Sequence, residues 1–278
     1  MIKTINKFSK ILPRYETEVM LTHLFGCARS DLYMKDMALS EDVEELLVSM
    51  ARRRLAGEPL QYIIGRADFM GMELIVRKGV FIPRQETELL IEGVLSAIRY
   101  TLYANRSLKI LDLCTGSGCI AVSLAKNIPA ADITATDISG EALETAKENV
   151  VRHGVSGRVR FYKGDLFEPL VFDKSCKFDI IVCNPPYIRA GELESLQQEV
   201  RQEPGLALDG GPDGLDFYRR IALDAHENLK TGGSLFLEIG VAQSKDVQDI
   251  FSREKLYMVK DVIKDFAGID RVLWIGLS

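Results

Sequence analysis

Apolar residues in the first 56 positions recur at helical spacing. Leu12, Tyr15, Val19, Leu21 and Leu24 mark one helix, and Val43, Leu46, Leu47, Met50 and Leu55 mark a second. Ser40 is placed to cap the second helix, with Glu41, Asp42, Glu44 and Glu45 in its first turns, and Gly57-Glu58-Pro59 ends it. The period then shortens. Tyr62–Gly65 and Asp68–Val76 read as a short β-hairpin with glycine punctuation, and Phe81-Ile82-Pro83-Arg84 leads into a helix over Thr87–Tyr103. From residue 108 strands and helices alternate. Strands are expected at Leu108–Leu113, Asp132–Thr136, Val159–Tyr162, Phe178–Cys183 and Ser234–Ile239. Helices are expected at Cys119–Asn127, Glu141–His153, Phe217–Leu229 and Val241–Phe251. Tyr257–Phe266 and Arg271–Ile275 read as a closing pair of strands around Gly268-Ile269-Asp270. This alternation implies an α/β fold with a doubly wound, mostly parallel sheet, and a closing hairpin makes its last strand antiparallel. The pattern divides the chain into a helical module with hairpin connector over residues 1–80 and an α/β domain over residues 81–278.

Composition narrows the class. With 278 residues, 47% of them apolar, the chain has the means to bury a full core. It contains no apolar stretch of membrane-spanning length and no signal-peptide pattern at Met1–Lys7, so a soluble cytoplasmic protein is expected. Cys27, Cys114, Cys119, Cys176 and Cys183 form no CxxC pair and read as free thiols; the scattered His23, His153 and His226 make a zinc site improbable. The net charge of −5 argues against a nucleic-acid substrate, and the dense basic run Arg52-Arg53-Arg54 reads as a solvated helix end.

Candidate chemistry sits at strand ends. Asp112–Gly118 joins the first strand of the α/β domain to its helix, and Gly116 and Gly118 permit a tight turn approached closely by a ligand. The spacing is not the full dinucleotide fingerprint, because Ile120 and Ala121 stand near the third glycine position. Asp137, after the second strand and about 20 residues beyond the glycines, suits a ribose diol or, alternatively, the cap of the next helix, a role open to Ser139. Asp165 follows the third strand and suits an adenine amino group, with Leu166 against the ring. The glycine turn with acids at consecutive strand ends reads as a nucleoside site that suits a cation better than a pyrophosphate.

The most informative segment is Asn184-Pro185-Pro186-Tyr187, directly after the apolar run Phe178–Cys183. An Asn here faces the crevice in which open α/β sheets bind ligands. Its side chain can accept and donate hydrogen bonds, two prolines remove backbone donors, and Tyr187 offers a flat face with a polar tip. The constellation suits holding a planar NH2 group still while its nitrogen attacks.

These motifs resemble the class I S-adenosylmethionine-dependent methyltransferases and, more closely, the protein-(glutamine-N5) methyltransferases that act on peptide chain release factors, the HemK/PrmC family. The resemblance also includes Gly57–Gly65, Phe81–Glu88, Glu203-Pro204 and Asp213–Tyr218, and so covers nearly the whole chain. It implies a Rossmann-like, mostly parallel seven-stranded sheet with an antiparallel last strand, preceded by a small helical domain that docks the release factor. It implies S-adenosylmethionine as cofactor, leaving as S-adenosylhomocysteine, with contacts at Cys114, Thr115, Gly116, Ser117, Gly118, Asp137, Leu166 and Asn184, beside the adenine contact read at Asp165. A target glutamine from a Gly-Gly-Gln loop would lie against Asn184, Pro185, Pro186 and Tyr187; beside this, Arg84, Glu86, Thr87 and Glu88 read as framing the pocket. No membrane or direct nucleic-acid partner is expected. Cys114 departs from the glycine usual in the family, and a small side chain there is expected to be tolerated.

On this reading Asn184 and the Pro185 carbonyl each accept one N–H of the amide, Tyr187 packs on its plane, and no strong base is needed. Thr87 has a second local reading as a helix cap, and the loop carrying Glu203, Gly205, Asp209, Gly210 and Gly211 reads as a segment that moves or contacts the substrate, or as a set of simple turns. Two rivals are weighed. One is a methyltransferase acting on an exocyclic amine of adenine or guanine in DNA or rRNA. The other is a non-catalytic cofactor-binding activator of a partner enzyme.

Overall fold

The structure, a computed structural model, describes residues 1–100, 107–171 and 177–277. It divides into two compact units, Met1–Arg66 with Gln197–Gln202, and Ala67–Leu196 with Glu203–Ser278.

The first unit is helical: α1 (Ile2–Phe8), α2 (Arg14–Phe25), α3 (Asp31–Met34), α4 (Glu41–Leu55) and α5 (Leu60–Ile64). Ile5, Phe8, Met20, Leu21, Leu32 and Leu47 form its core. Where one helix is expected through Leu12–Leu24, α1 and α2 stand on either side of Pro13; the residue before a proline is driven out of the helical region. Ser40 caps α4, its Oγ accepting from the Val43 amide at 3.4 Å. The basic run ends α4 as expected, with Arg52 and Arg53 exposed, while Arg54 grips Glu16 with two hydrogen bonds of 2.8 and 2.9 Å and also pairs with Glu199. Tyr62–Ile64, expected in a strand, belongs to α5, which Pro59 opens and left-handed Gly65 closes. Burial of Tyr62 and Ile63 in this short helix overrides their strand propensity.

The second unit follows the expected alternation. A hairpin of β1 (Arg66–Phe69) and β2 (Met72–Ile75) turns on Met70 and Gly71, both at positive φ, as a two-residue turn of matching twist requires. Then come α6 (Glu86–Tyr100), β3 (Leu108–Leu113), α7 (Cys119–Asn127), β4 (Ala131–Asp137), α8 (Gly140–Arg152), β5 (Val159–Lys163), β6 (Phe178–Cys183), α9 (Asp216–Asn228), β7 (Leu229–Glu238), α10 (Ser244–Arg253), β8 (Tyr257–Lys264) and β9 (Asp270–Leu277). The expected continuation of α6 through Tyr103, and Cys176, lie outside the described residues.

The large sheet has seven strands in the order β5-β4-β3-β6-β7-β9-β8, with β9 antiparallel to both neighbours and the rest parallel. Its strands alternate between two cores. Ile110, Ile133, Ile180, Val182 and Phe236 face one, with α6 and α7; Leu111, Leu113, Ile181, Cys183, Leu235 and Leu237 face the other, with α9 and α10. Both faces are covered, which is why β6 reads as an unbroken apolar run apart from Asp179. Among the described residues no helix is long and apolar enough to cross a membrane, and no group of His, Cys, Asp and Glu is arranged to hold a metal.

Register aligns the strand ends. Leu113 pairs with Thr136 on one side and Cys183 on the other, and Cys183 pairs with Leu237. The residues that follow, Asp137, Cys114, Asn184 and Glu238, therefore form one row along the carboxyl edge of the parallel strands.

Candidate functional site

The right half of this row is a hydrogen-bonded cluster around Glu238. This carboxylate ends β7 and is only 2% exposed. The Thr87 hydroxyl donates to its Oε2 at 2.6 Å, and the Tyr187 hydroxyl donates to its Oε1 at 3.2 Å. Thr87 Oγ1 in turn accepts the Asn184 side-chain NH2 at 3.1 Å. Thr87 is buried in the first turn of α6 and is not the helix cap. No hydrogen bond among the described residues reaches the Asn184 Oδ1 or the Pro185 carbonyl. Burial is the main force pushing the Glu238 carboxyl up to about 7, opposed by the bonds from Thr87 and Tyr187. Burial and the nearby Glu238 charge also raise the Tyr187 phenol.

The loop after residue 203 braces the Asn184–Tyr187 turn. Ile188 donates to the Leu208 carbonyl at 2.9 Å and Gly210 donates to the Ile188 carbonyl at 2.8 Å. Gly210 and Gly214 pack directly on the backbone at Tyr187. Gln243 donates to the Tyr187 carbonyl at 3.0 Å and to the Gly214 carbonyl at 3.2 Å, while its oxygen accepts the Gly240 amide at 2.9 Å. Buried Glu203 accepts the Ile82 amide at 3.1 Å and pairs with Arg84, whose guanidinium lies 4.8 Å from the centre of the Phe81 ring. Gly210 and Gly214 are thus places of close backbone approach, whereas a Cβ at Gly205 would meet open space and one at Gly211, which has a φ of +90°, would meet the Asp216 side chain.

The left half is the glycine turn. Thr115 donates its amide to the Thr136 carbonyl at 3.0 Å and its hydroxyl to Asp112 Oδ2 at 2.6 Å. Cys114 has a φ of +57°, a conformation that disfavours any Cβ. At Gly118 a Cβ would lie 2.9 Å from the Ala146 Cβ, so this glycine lets α8 approach, whereas at Gly116 a Cβ would meet open space. The Ser117 carbonyl accepts from Asn149 at 2.9 Å. Asp137 accepts the Gly116 amide at 2.8 Å and the Ser139 amide at 2.8 Å; Ser139, not Asp137, caps α8 through its bond from Ala142. Burial holds the Asp137 carboxyl above its ordinary range. Asp112 is wholly buried, its Oδ1 has no partner, and burial pushes its carboxyl up to about 7. Leu166 is buried with φ +48°, and its carbonyl accepts from Thr136 at 3.0 Å. Asp165, beyond β5, is paired with Arg220 of α9 at 2.6 Å.

The structure therefore brings Asn184, Tyr187 and Thr87 together, and separately Cys114–Gly118 with Asp137. Arg84 is engaged by Glu203, and Asp165 by Arg220. Sequence reasoning passes over Glu238 and Gln243, and assigns no role to Tyr218, whose hydroxyl donates to the Glu238 carbonyl oxygen at 2.9 Å. The signal for Glu238 is present: a lone carboxylate ends the apolar run Leu235-Phe236-Leu237, in the position Asn184 holds on β6.

Residues 77–205 match the family model described as the methyltransferase small domain, and residues 6–65 match the PrmC N-terminal domain. A release factor glutamine methyltransferase from Thermodesulfovibrio yellowstonii is 40% identical over 100% of this chain and 99% of its own. One from Geobacter sulfurreducens is 42% identical over 94% of this chain and 88% of its own. In fold, a solved methyltransferase from Pyrococcus furiosus superposes with a TM-score of 0.52 at 17% identity, covering 86% of this chain and 98% of that one.

Proposed function

The chain belongs to the release factor glutamine methyltransferase family, and on that premise we propose that it moves a methyl group from S-adenosylmethionine to the side-chain amide nitrogen of the glutamine in the Gly-Gly-Gln loop of peptide chain release factors. When bound, S-adenosylmethionine supplies an electrophilic methyl group on a sulfonium sulfur.

The turn fits such a cationic nucleoside on two counts. The unpartnered, buried Asp112 Oδ1 suits a positive or N–H-bearing group, and the open space above Gly116 admits a ligand against the backbone. Cys114, Thr115, Gly116, Ser117 and Gly118 would hold it, with Asp137 at the ribose and Asp165 and Leu166 at the base. For Asp137 this means adding a ligand bond to the two backbone bonds it already accepts.

The observation that carries the reading is the pair of unengaged acceptors at Asn184 Oδ1 and the Pro185 carbonyl. A glutamine amide is a poor nucleophile because its lone pair is shared with its carbonyl. Two acceptors aimed at its two N–H bonds orient the nitrogen and favour a more tetrahedral geometry, an arrangement preorganised where charge develops. Tyr187 supplies an apolar face to the amide plane, and Pro186 stiffens the turn. Arg84 and Thr87 frame the acceptor side, Thr87 through its contact with Asn184.

Mass spectrometry of a release factor incubated with the protein and S-adenosylmethionine tests the proposal. A methyl mass on the loop glutamine is expected. Methyl label on nucleic acid instead would favour the exocyclic-amine reading. Cofactor binding with no transfer to any substrate would favour the activator reading.

A further inference from the structure

A threonine hydroxyl has one proton to give. Thr87 Oγ1 lies 2.6 Å from Glu238 Oε2 and 3.1 Å from the Asn184 Nδ2. An ionised carboxylate can only accept, so the Thr87 proton points at Glu238. The Thr87 oxygen must then accept, and only the NH2 end of the Asn184 amide can satisfy it. The other end, Oδ1, is left facing away from Thr87. The two ends of an asparagine amide are nearly equal in shape, so nothing steric makes this choice; the direction of the hydrogen-bond chain makes it.

We propose that Glu238 is a positioning residue: through Thr87 it sets the polarity of a hydrogen-bond chain so that Asn184 presents its oxygen, and not its NH2, to the substrate amide. The inference rests on the role given to Asn184 above. With a donor at Glu238, whether a proton or an amide, Thr87 is released to donate to Asn184. The asparagine is then free to turn over and would meet the substrate N–H groups with its own. The second carboxylate oxygen takes the Tyr187 hydroxyl, so two members of the Asn184–Tyr187 turn hang on one side chain.

The charged and titratable groups around Glu238 come from five directions. Glu86 on α6 raises its carboxyl and Arg271 on β9 lowers it, while Tyr187 in the turn after β6, Tyr218 on α9 and Cys119 on α7 all feel its charge. With burial dominant the carboxyl titrates at about 7, so the competent form gains population as pH rises through neutrality.

The test compares the full-length wild type with Glu238→Gln, Thr87→Ser and Thr87→Val, measuring methyl transfer to a release factor from about pH 5.5 to about 9. For the wild type, kcat should rise through neutral pH to a plateau. Glu238→Gln should lower the plateau about 10²-fold, leave KM for the protein substrate nearly unchanged, and lose the rising limb. Thr87→Ser should keep most of the rate and the limb, and Thr87→Val should behave like Glu238→Gln. A wild-type kcat with the limb intact in Glu238→Gln, or equal behaviour of Thr87→Ser and Thr87→Val, overturns the proposal. Should Glu238→Gln fail to fold by circular dichroism, the threonine pair decides. If the wild type methylates no release factor, the proposed function fails, and the nitrogen-15 spectrum of the Asn184 side chain judges the relay alone. Amide protons that titrate near neutrality in the wild type and stay flat in Thr87→Val support it; a flat wild-type response overturns it.

Discussion

Gly210 lies against the backbone of Tyr187: a Cβ added at Gly210 would stand 2.7 Å from the Tyr187 Cα and 2.9 Å from the Pro186 carbonyl oxygen. Both neighbours are backbone, and neither can rotate away. Gly210→Ala should therefore displace the Asn184–Tyr187 turn, lowering turnover at least about 10-fold and costing about 1–3 kcal/mol of stability. Urea denaturation and methyl-transfer rates on the same preparation check both effects.

Asn184→Ala should lower kcat by roughly 10²-fold while the protein stays folded, because Thr87 keeps its bond to Glu238 when the asparagine is gone. Single-turnover transfer to a release factor measures it. A wild-type rate would remove Asn184 from the chemistry.

Glu238 also leaves a mark on stability. Its carboxyl titrates at about 7 in the folded chain against 4.5 for the ordinary group, so the folded state holds the proton more tightly over that interval. The resulting contribution is present at acid pH and is lost as pH rises through about 7. The difference corresponds to about 3 kcal/mol. Glu238→Gln removes the titration, so its stability relative to wild type should improve between about pH 5 and about pH 8. Denaturant midpoints at the two values test this; a difference that does not change with pH contradicts it.

Cys114 occupies a left-handed conformation that costs a residue with a Cβ about 1–2 kcal/mol. Cys114→Gly should stabilise the protein by up to about 1 kcal/mol after the entropy cost of glycine is subtracted. Cys114→Val, branched at the strained carbon, should destabilise it by about 1–3 kcal/mol. Thermal melts of the three proteins rank them.

Asp165 and Arg220 form a partly exposed ion pair, with side chains 37% and 44% exposed. Removing Asp165 should change stability by no more than about 0.5 kcal/mol. A loss of S-adenosylmethionine affinity of about 10-fold or more in Asp165→Ala therefore reports a ligand contact and not unfolding. Calorimetric titration supplies the affinity, and unchanged binding would assign Asp165 to the ion pair alone.

Local rules and apolar periodicity reach most of this fold. β6 and α7 have the expected bounds because their signals are strong: an unbroken buried run for one, and a glycine turn with helical spacing for the other. The Ser40 and Ser139 caps follow from short-range chemistry. Tyr62–Ile64 escapes because an aromatic and two β-branched residues in a short helix look like a strand until their burial partners are known. In the site, Asn184 and Asp137 are visible as polar residues ending apolar strands. The bonds that link Thr87 to Glu238 and Gln243 to Tyr187 are not visible. They join segments brought together only by sheet order and register, which periodicity along one strand does not contain.

The row Asp137, Cys114, Asn184, Glu238 has an evolutionary consequence. Each member hangs from a different strand and continues into its own loop, and the two halves meet where β3 pairs with β6. On the proposed reading the donor is handled by the loops after β3, β4 and β5 and the acceptor by those after β6 and β7. A duplicated gene can therefore rewrite the loops after β6 and β7, and with them the molecule that receives the methyl group, while inheriting the donor half unchanged. Such a partition lets one sheet supply a lineage of enzymes that share a reagent and differ in what they modify.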